Sequence, residues 1–178
     1  MNFKELKELD LSSNNISDIK SLEKAKFETL EKLDLSVNEN IYNYNILKKV
    51  NLKELKELNL RWNNISDIKF LEKIKFEKLE KLNLSLNRIS DINILEKVNF
   101  KELNLSHNHI SDITLLEKLK FEKLEKLDLS INNISDRNIL ESVIFKELKE
   151  LDLSSNNISD IKSLENLKFE KLEKFKFE

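Results

Sequence analysis

Few residues of this chain are suited to chemistry, and they stand apart from one another. His107 and His109 flank Asn108 in an H-x-H triplet. Two imidazoles at that spacing can share a metal ion, but a zinc site takes three or four ligands, and no third stands in the local sequence. Asp128 and Asp152 are 24 residues apart. A fold that laid such segments side by side would pair their carboxylates, as glycoside hydrolysis requires. The same aspartate returns as Asp10 and Asp34, however, so the pair reads as a repeated structural residue. No cysteine and no glycine occur, which excludes thiolate chemistry and a glycine-rich phosphate loop, and there is neither a Ser-His-Asp set nor an H-E-x-x-H. The expectation is a chain with no catalytic activity, no cofactor and no metal. Arg61 and Trp62 remain, adjacent and of the residue types enriched at binding hot spots.

What positions these residues is a repeat. The stretch Leu9–Ile19, LDLSSNNISDI, returns unchanged at Leu151–Ile161 and recurs with small edits five times between. The first leucine of each unit falls at Leu6, Leu30, Leu55, Leu79, Leu124, Leu148 and Leu172, with Phe100 in that place in the fifth unit. The steps are 24, 25, 24, 21, 24, 24 and 24 residues. Leu9 and Leu11 alternate with polar neighbours at the period of a strand, whereas Ile19, Leu22 and Ala25 follow a helical or 3₁₀ period. Ser17 and Asp18 before them are good helix N-caps. One unit cannot bury its own leucines, so stacking the units is what makes a core. Residues 1–178 therefore read as one domain of seven repeats of about 24 residues, plus the opening strand of an eighth.

The L-x-x-L-x-L-x-x-N core, carried in the first unit by Leu6, Leu9, Leu11 and Asn14, resembles the leucine-rich repeat family. The N-x-I-S-D-I continuation is similar to the short-repeat class found in a protein-phosphatase regulatory subunit and in bacterial internalins. The units here are about two residues longer than that class. The resemblance implies an α/β fold: a right-handed solenoid or arc, with a parallel β-sheet on the concave face and short helices on the convex face. It also implies that the asparagine column Asn14, Asn38, Asn63, Asn87, Asn108, Asn132 and Asn156 is buried and bonds the turn backbone. A carboxamide suits that task because it both donates and accepts. In this family the concave surface usually binds protein, so the expected function is a non-catalytic interaction module for a protein or peptide.

Charge narrows the partner. Charged residues make up 36% of the chain, yet the net charge is only −2 and the signs are interleaved. The two residues after each lead residue alternate, Lys7-Glu8, Glu31-Lys32, Lys56-Glu57, Glu80-Lys81 and onward, so parallel strands in register would place opposite charges side by side. No basic stripe for nucleic acid is present. No apolar run approaches membrane-spanning length, and the start, MNFKELKELD, is too charged for a secretory signal. A cytoplasmic location is expected, and the six N-x-S triplets read as by-products of the repeat.

Departures from the consensus mark the candidate site. The residue between the paired leucines is acidic at both ends, Asp10, Asp34, Asp128 and Asp152, but neutral in the middle as Asn59, Asn83 and Asn104. The next position is serine in every complete unit except the third, where it is Arg61. The column after it runs Ser13, Val37, Trp62, Leu86, His107, Ile131 and Ser155. Side-chain alternation along the strands leads us to expect a concave patch of Arg61, Trp62, Leu86, His107, Val37, Ile131, Asn59, Asn83 and Asn104. Tyr42 and Tyr44, in the irregular second unit, are expected one strand over at the turn edge. Arg137 stands where an isoleucine is expected, and either snorkels out of the core or marks a convex contact. The fourth unit lacks three residues, which predicts a local kink or a shortened convex segment. Neither end carries a polar capping unit, which would leave Phe3, Leu6, Leu9, Leu172, Phe175 and Phe177 uncovered. A self-associating, end-to-end array, or a fragment of a longer one, is thus the alternative to a binding module.

Overall fold

The computed structural model describes residues 2–97, 100–114, 116, 122–135, 145–159 and 169–177. Arg137 lies outside the described residues. Eight three-residue strands form one parallel sheet in sequence order: Glu8–Asp10, Lys32–Asp34, Glu57–Asn59, Lys81–Asn83, Glu102–Asn104, Lys126–Asp128, Glu150–Asp152 and Lys174–Lys176. Register is constant, with Leu9, Leu33, Leu58, Leu82, Leu103, Leu127, Leu151 and Phe175 in one row. The second leucine of each pair continues the backbone ladder, as in Leu35 N–H to Asn59 O at 2.9 Å. Both rows point inward, and Leu33, Leu35, Leu58, Leu60, Leu82 and Leu84 are almost wholly buried. This is the period-2 pattern of the sequence turned into a core.

The asparagine column closes each turn. Asn87 Nδ2 donates to Leu60 O, Leu84 O and Ser85 O at 2.9–3.1 Å. Its Oδ1 accepts from Asn63 N at 3.1 Å and Ile65 N at 2.9 Å. One side chain thereby satisfies five backbone groups on two adjacent units, groups that burial would otherwise orphan. Asn38, Asn108 and Asn132 repeat the pattern of donation.

On the far side of the core the chain makes short 3₁₀ helices, Lys20–Lys24, Tyr44–Lys49, Lys69–Lys73 and Asn93–Lys97, one of the two periods that the apolar spacing allowed. The cap aspartate acts here through an Asx turn: Asp18 Oδ1 accepts from Lys20 N at 2.7 Å, and Asp67, Asp91 and Asp112 repeat it. Fixing the first turn this way, without an N-cap bond, suits a helix too short to propagate.

The shortened fourth unit leaves the sheet intact. Lys101 N and Glu102 N both donate to Glu80 O at 2.8 and 3.0 Å, as in the regular units, and Phe100 is fully buried. The missing residues are thus taken from the convex side of the loop, not from the ladder. A minor edge pairing joins Asn2–Phe3 to Lys26–Phe27 and Phe145 to Phe169. Each phenylalanine pair stacks at 5.9 Å between ring centroids.

Candidate functional site: the concave groove and its rim

Strand alternation sends the residues on either side of the buried leucine into a groove that crosses all eight strands. One row of its floor is Glu8, Lys32, Glu57, Lys81, Glu102, Lys126, Glu150 and Lys174. The expected alternation of charge is realised as contacts: Lys81 to Glu102 at 3.1 Å and Lys126 to Glu150 at 2.8 Å. A second ladder stands just outside, with Lys56 to Glu31 at 2.6 Å, Lys101 to Glu80 at 2.9 Å and Lys149 to Glu125 at 2.7 Å. These bonds lower the carboxyls of Glu31, Glu125 and Glu150 and raise the ammonium groups of Lys56, Lys126 and Lys149 from their ordinary values. A third row, Lys4 to Glu28, Lys53 to Glu77 and Lys171 to Glu147, escaped the sequence reading because it precedes the lead leucine.

The other floor row carries the aspartates and asparagines. Asp34, Asn83, Asn104, Asp128 and Asp152 each accept through Oδ1 from the amide and hydroxyl of the serine two residues on. Asp10 and Asp34, and Asp128 and Asp152, are cross-strand neighbours in register. Burial pushes the Asp152 carboxyl up, but Lys176 and the hydroxyl and amide of Ser154 outweigh it, and the net direction is down. The Ser12 hydroxyl and amide likewise hold Asp10 low. These carboxylates are turn anchors. The three central asparagines make the same anchor without the charge. Asn59 Nδ2 donates to Asp34 Oδ2 at 2.7 Å, while Nδ2 of Asn83 and of Asn104 has no protein partner among the described residues.

The remaining residues of the expected patch lie elsewhere. Val37, Trp62, Leu86, His107 and Ile131 are not on the concave floor. They sit in the turn that follows each strand, with φ between 53° and 56°. Their amides still bond the next unit, as in Trp62 N to Ser85 O at 2.9 Å. Strict alternation from the buried leucine two residues before would point these side chains inward, so the expected concave position of this column went beyond what alternation supports. The left-handed backbone redirects them to the rim, where Trp62 is 45% and Ile131 42% exposed. A left-handed conformation costs a residue with a Cβ about 1–2 kcal/mol, and β-branched Val37 and Ile131 are the least suited to it. Nothing in a strand-period reading foretells the change of hand. The absence of glycine hid it further, since glycine is the usual signal. Arg61 stands at the same rim, exposed, with Nη1 3.4 Å from Ser85 Oγ.

The two tyrosines belong to neither surface. Tyr44 is buried on the 3₁₀ helix Tyr44–Lys49, stacks on Phe70 at 5.2 Å, and its hydroxyl has no hydrogen-bond partner among the described residues. Burial raises that hydroxyl far above the usual phenol range. Tyr42 is exposed, but its amide bonds Ser17 O at 3.4 Å and the Asp18 carboxylate beside its hydroxyl raises its pKa. Both contacts are to the first unit, away from Trp62. Tyr44 takes the column of the buried Ile19, Ile68 and Ile92, and Tyr42 that of Ser17, so both lie past the turn on the helical side. Among the described residues no group of His, Asp and Glu side chains is placed to hold a metal ion, and no helix is long and apolar enough to cross a membrane.

A parallel ladder of one short strand per turn, closed by a buried asparagine column and backed by 3₁₀ segments, defines a leucine-rich solenoid. Six segments, residues 5–19, 51–68, 77–92, 97–113, 122–137 and 147–161, match the family described as Leucine Rich repeat, and the chain belongs to that family. No curated protein sequence matches it significantly. Among solved structures it is similar to internalin C2 of Listeria monocytogenes, at 29% identity and a TM-score of 0.79, covering 97% of this chain and 71% of that one. It is also similar to an internalin, inlF, of the same organism, at 27% identity and a TM-score of 0.75, over 98% of this chain and 48% of that one. A leucine-rich repeat protein of Leptospira interrogans shares the fold at 22% identity and a TM-score of 0.62, over 96% of this chain and 55% of that one.

Proposed function

We propose that this chain is a non-catalytic module that binds a protein or peptide in the centre of its concave groove, over units 3 to 5. Leucine-rich repeats generally mediate protein–protein interaction, and the family sets that class. The observation that carries the location is the pair of carboxamide Nδ2 groups with no protein partner among the described residues. In a groove whose charges are otherwise paired along ladders, Asn83 and Asn104 present free N–H donors on adjacent strands. A peptide backbone offers carbonyl acceptors to such donors. The exposed Trp62 and the half-buried Leu86 on the rim border the same units and add apolar contact.

Aspartate tests this reading cleanly, because Asp34 and Asp128 make the same bonds to their serines that Asn83 and Asn104 make. Asn83→Asp with Asn104→Asp should therefore fold unchanged while losing both donors and adding charge. Affinity capture with the parent and the double variant as baits is the measurement. A protein retained by the parent and lost by the variant is expected. Equal recovery by both baits refutes a concave site in these units.

A further inference from the structure

Three features that the repeat leaves free change together in units 3, 4 and 5. Lysine supplies almost all the positive charge of this protein: of 31 lysines and arginines only Arg61, Arg88 and Arg137 are arginine. The four-residue turns that follow the strands, residues 12–15, 36–39, 61–64, 85–88, 106–109, 130–133 and 154–157, hold no lysine at all. They hold two of the three arginines and both histidines instead, all in the turns of units 3 to 5: Arg61, Arg88, His107 and His109. All four are exposed. One row of the groove floor loses its negative charge in the same three units, where Asn59, Asn83 and Asn104 replace the aspartates of the flanking units, while Glu57, Lys81 and Glu102 keep the alternating charge of the other row. The sole tryptophan stands among them.

Their bonding sets these arginines apart from the lysines. Lysines of the ladders are paired to glutamates strand after strand. Neither Arg61 nor Arg88 has a carboxylate partner among the described residues; Arg61 touches only the Ser85 hydroxyl, on the turn that carries Arg88. Backbone bonds stack the three turns, Trp62 N to Ser85 O and Leu86 N to Ser106 O, both 2.9 Å. The result is a rim whose guanidinium groups have no carboxylate partner among the described residues, near an exposed indole and next to a floor row of Asn59, Asn83 and Asn104 that carries no charge. A guanidinium is the side chain best matched to a carboxylate, which it grips with two parallel bonds. Nucleic acid is the poorer fit, because the ladders on either side carry as many carboxylates as ammonium groups and no basic stripe continues from the rim.

We infer that the rim of units 3 to 5 recognises an acidic segment of a protein partner, with Arg61 and Arg88 taking carboxylates and Trp62 and Leu86 taking an apolar side chain between them. The inference rests on the binding role proposed above and adds the chemical class of the partner.

A random-peptide display library selected on the whole chain tests it, with synthetic copies of the recovered peptides titrated against Trp62 fluorescence. Because Trp62 is the only tryptophan, its emission reports the rim directly. Recovered peptides should be rich in Asp and Glu around an apolar residue. Arg61→Gln with Arg88→Gln should weaken them by about tenfold or more, the size of one or two lost charge-assisted bonds. Lys20→Gln with Lys69→Gln, a charge-matched control on the exposed convex side, should leave affinity within about twofold, since distant surface charges are screened. Four outcomes overturn the inference: no recovered binder, binders without acidic enrichment, equal weakening by the lysine control, or a duplex DNA bound with the same arginine dependence. The groove reading is scored apart from this. Arginine-independent peptides lost on Asn83→Ala with Asn104→Ala would overturn the acidic rim and keep the groove. Arginine-dependent peptides indifferent to that change would keep the rim and remove the groove.

Discussion

Trp62 and Asn63 are neighbours in the chain and opposites in fate. Asn63 is 2% exposed, and its side chain bonds backbone of the preceding unit and of its own; Trp62 is 45% exposed. The same contrast holds for Leu86 and Asn87, His107 and Asn108, and Ile131 and Asn132. One residue of each pair is invariant along the array and the other varies from serine to tryptophan. Stacking explains both. The inner residue must satisfy the turn of its neighbour, so each unit dictates the next. The outer one is turned away by a left-handed backbone and touches no required partner, which leaves it free to serve binding.

Substitution on either side of that boundary should separate the two roles. Asn87→Ala orphans five buried backbone groups, and a loss of about 3–5 kcal/mol is expected. Leu86→Ser, one residue away, should cost within about 1 kcal/mol. Chemical denaturation of both variants checks this, and similar losses would break the distinction between inner and outer columns.

A smaller effect of opposite sign is expected at Ile131. Asparagine tolerates the left-handed region that a β-branched residue resists, so Ile131→Asn should stabilise the fold by about 0.5–1 kcal/mol. If the rim binds, the same change should weaken capture of a partner. Destabilisation on this change would show that the isoleucine packs rather than strains.

The ladders should give the smallest effect, visible as a pH dependence. Glu31, Glu125, Glu150, Asp10 and Asp152 are held below the ordinary 4.5 and 3.8 of their types. Their contribution is present above those values and is lost as pH falls through the lowered ones. Lys32, Lys56, Lys126, Lys149 and Lys176 are held above 10.5, so theirs is present below that value and lost as pH rises through the raised ones. The thermal midpoint should stay level between about 5 and 10 and decline outside that window, with added salt reducing the contrast by screening. A midpoint rising toward low pH would contradict the ladders.

The sheet, its parallel register, the buried leucines and the asparagine column were all legible in the sequence. Each is dictated by a contact between equivalent residues, so repetition alone reveals it. The charge ladders were legible for the same reason, except the row before the lead leucine. The candidate site was legible only in part. Asn59, Asn83 and Asn104 obey strand alternation and reached the groove floor as expected. Trp62 and its column did not: strict alternation would have pointed them inward, and a change of backbone hand two residues past the core leucine, which leaves no mark in hydrophobic period and which no glycine announced, turns them to the rim.

Sequence by itself therefore determined which residues repeat, hence which must pack, and which few depart from the repeat. Tertiary structure alone decided where those departures face. It put Tyr42 against the first unit, and packed Tyr44, in the isoleucine column of the repeat, onto Phe70. It also brought Arg61, Arg88, Trp62, His107 and His109, spread over 49 residues of chain, onto three stacked turns at one rim. Stacking at one strand per unit converts a separation of 24 residues into a single lateral step of about 4.8 Å, and no reading of local sequence carries that distance.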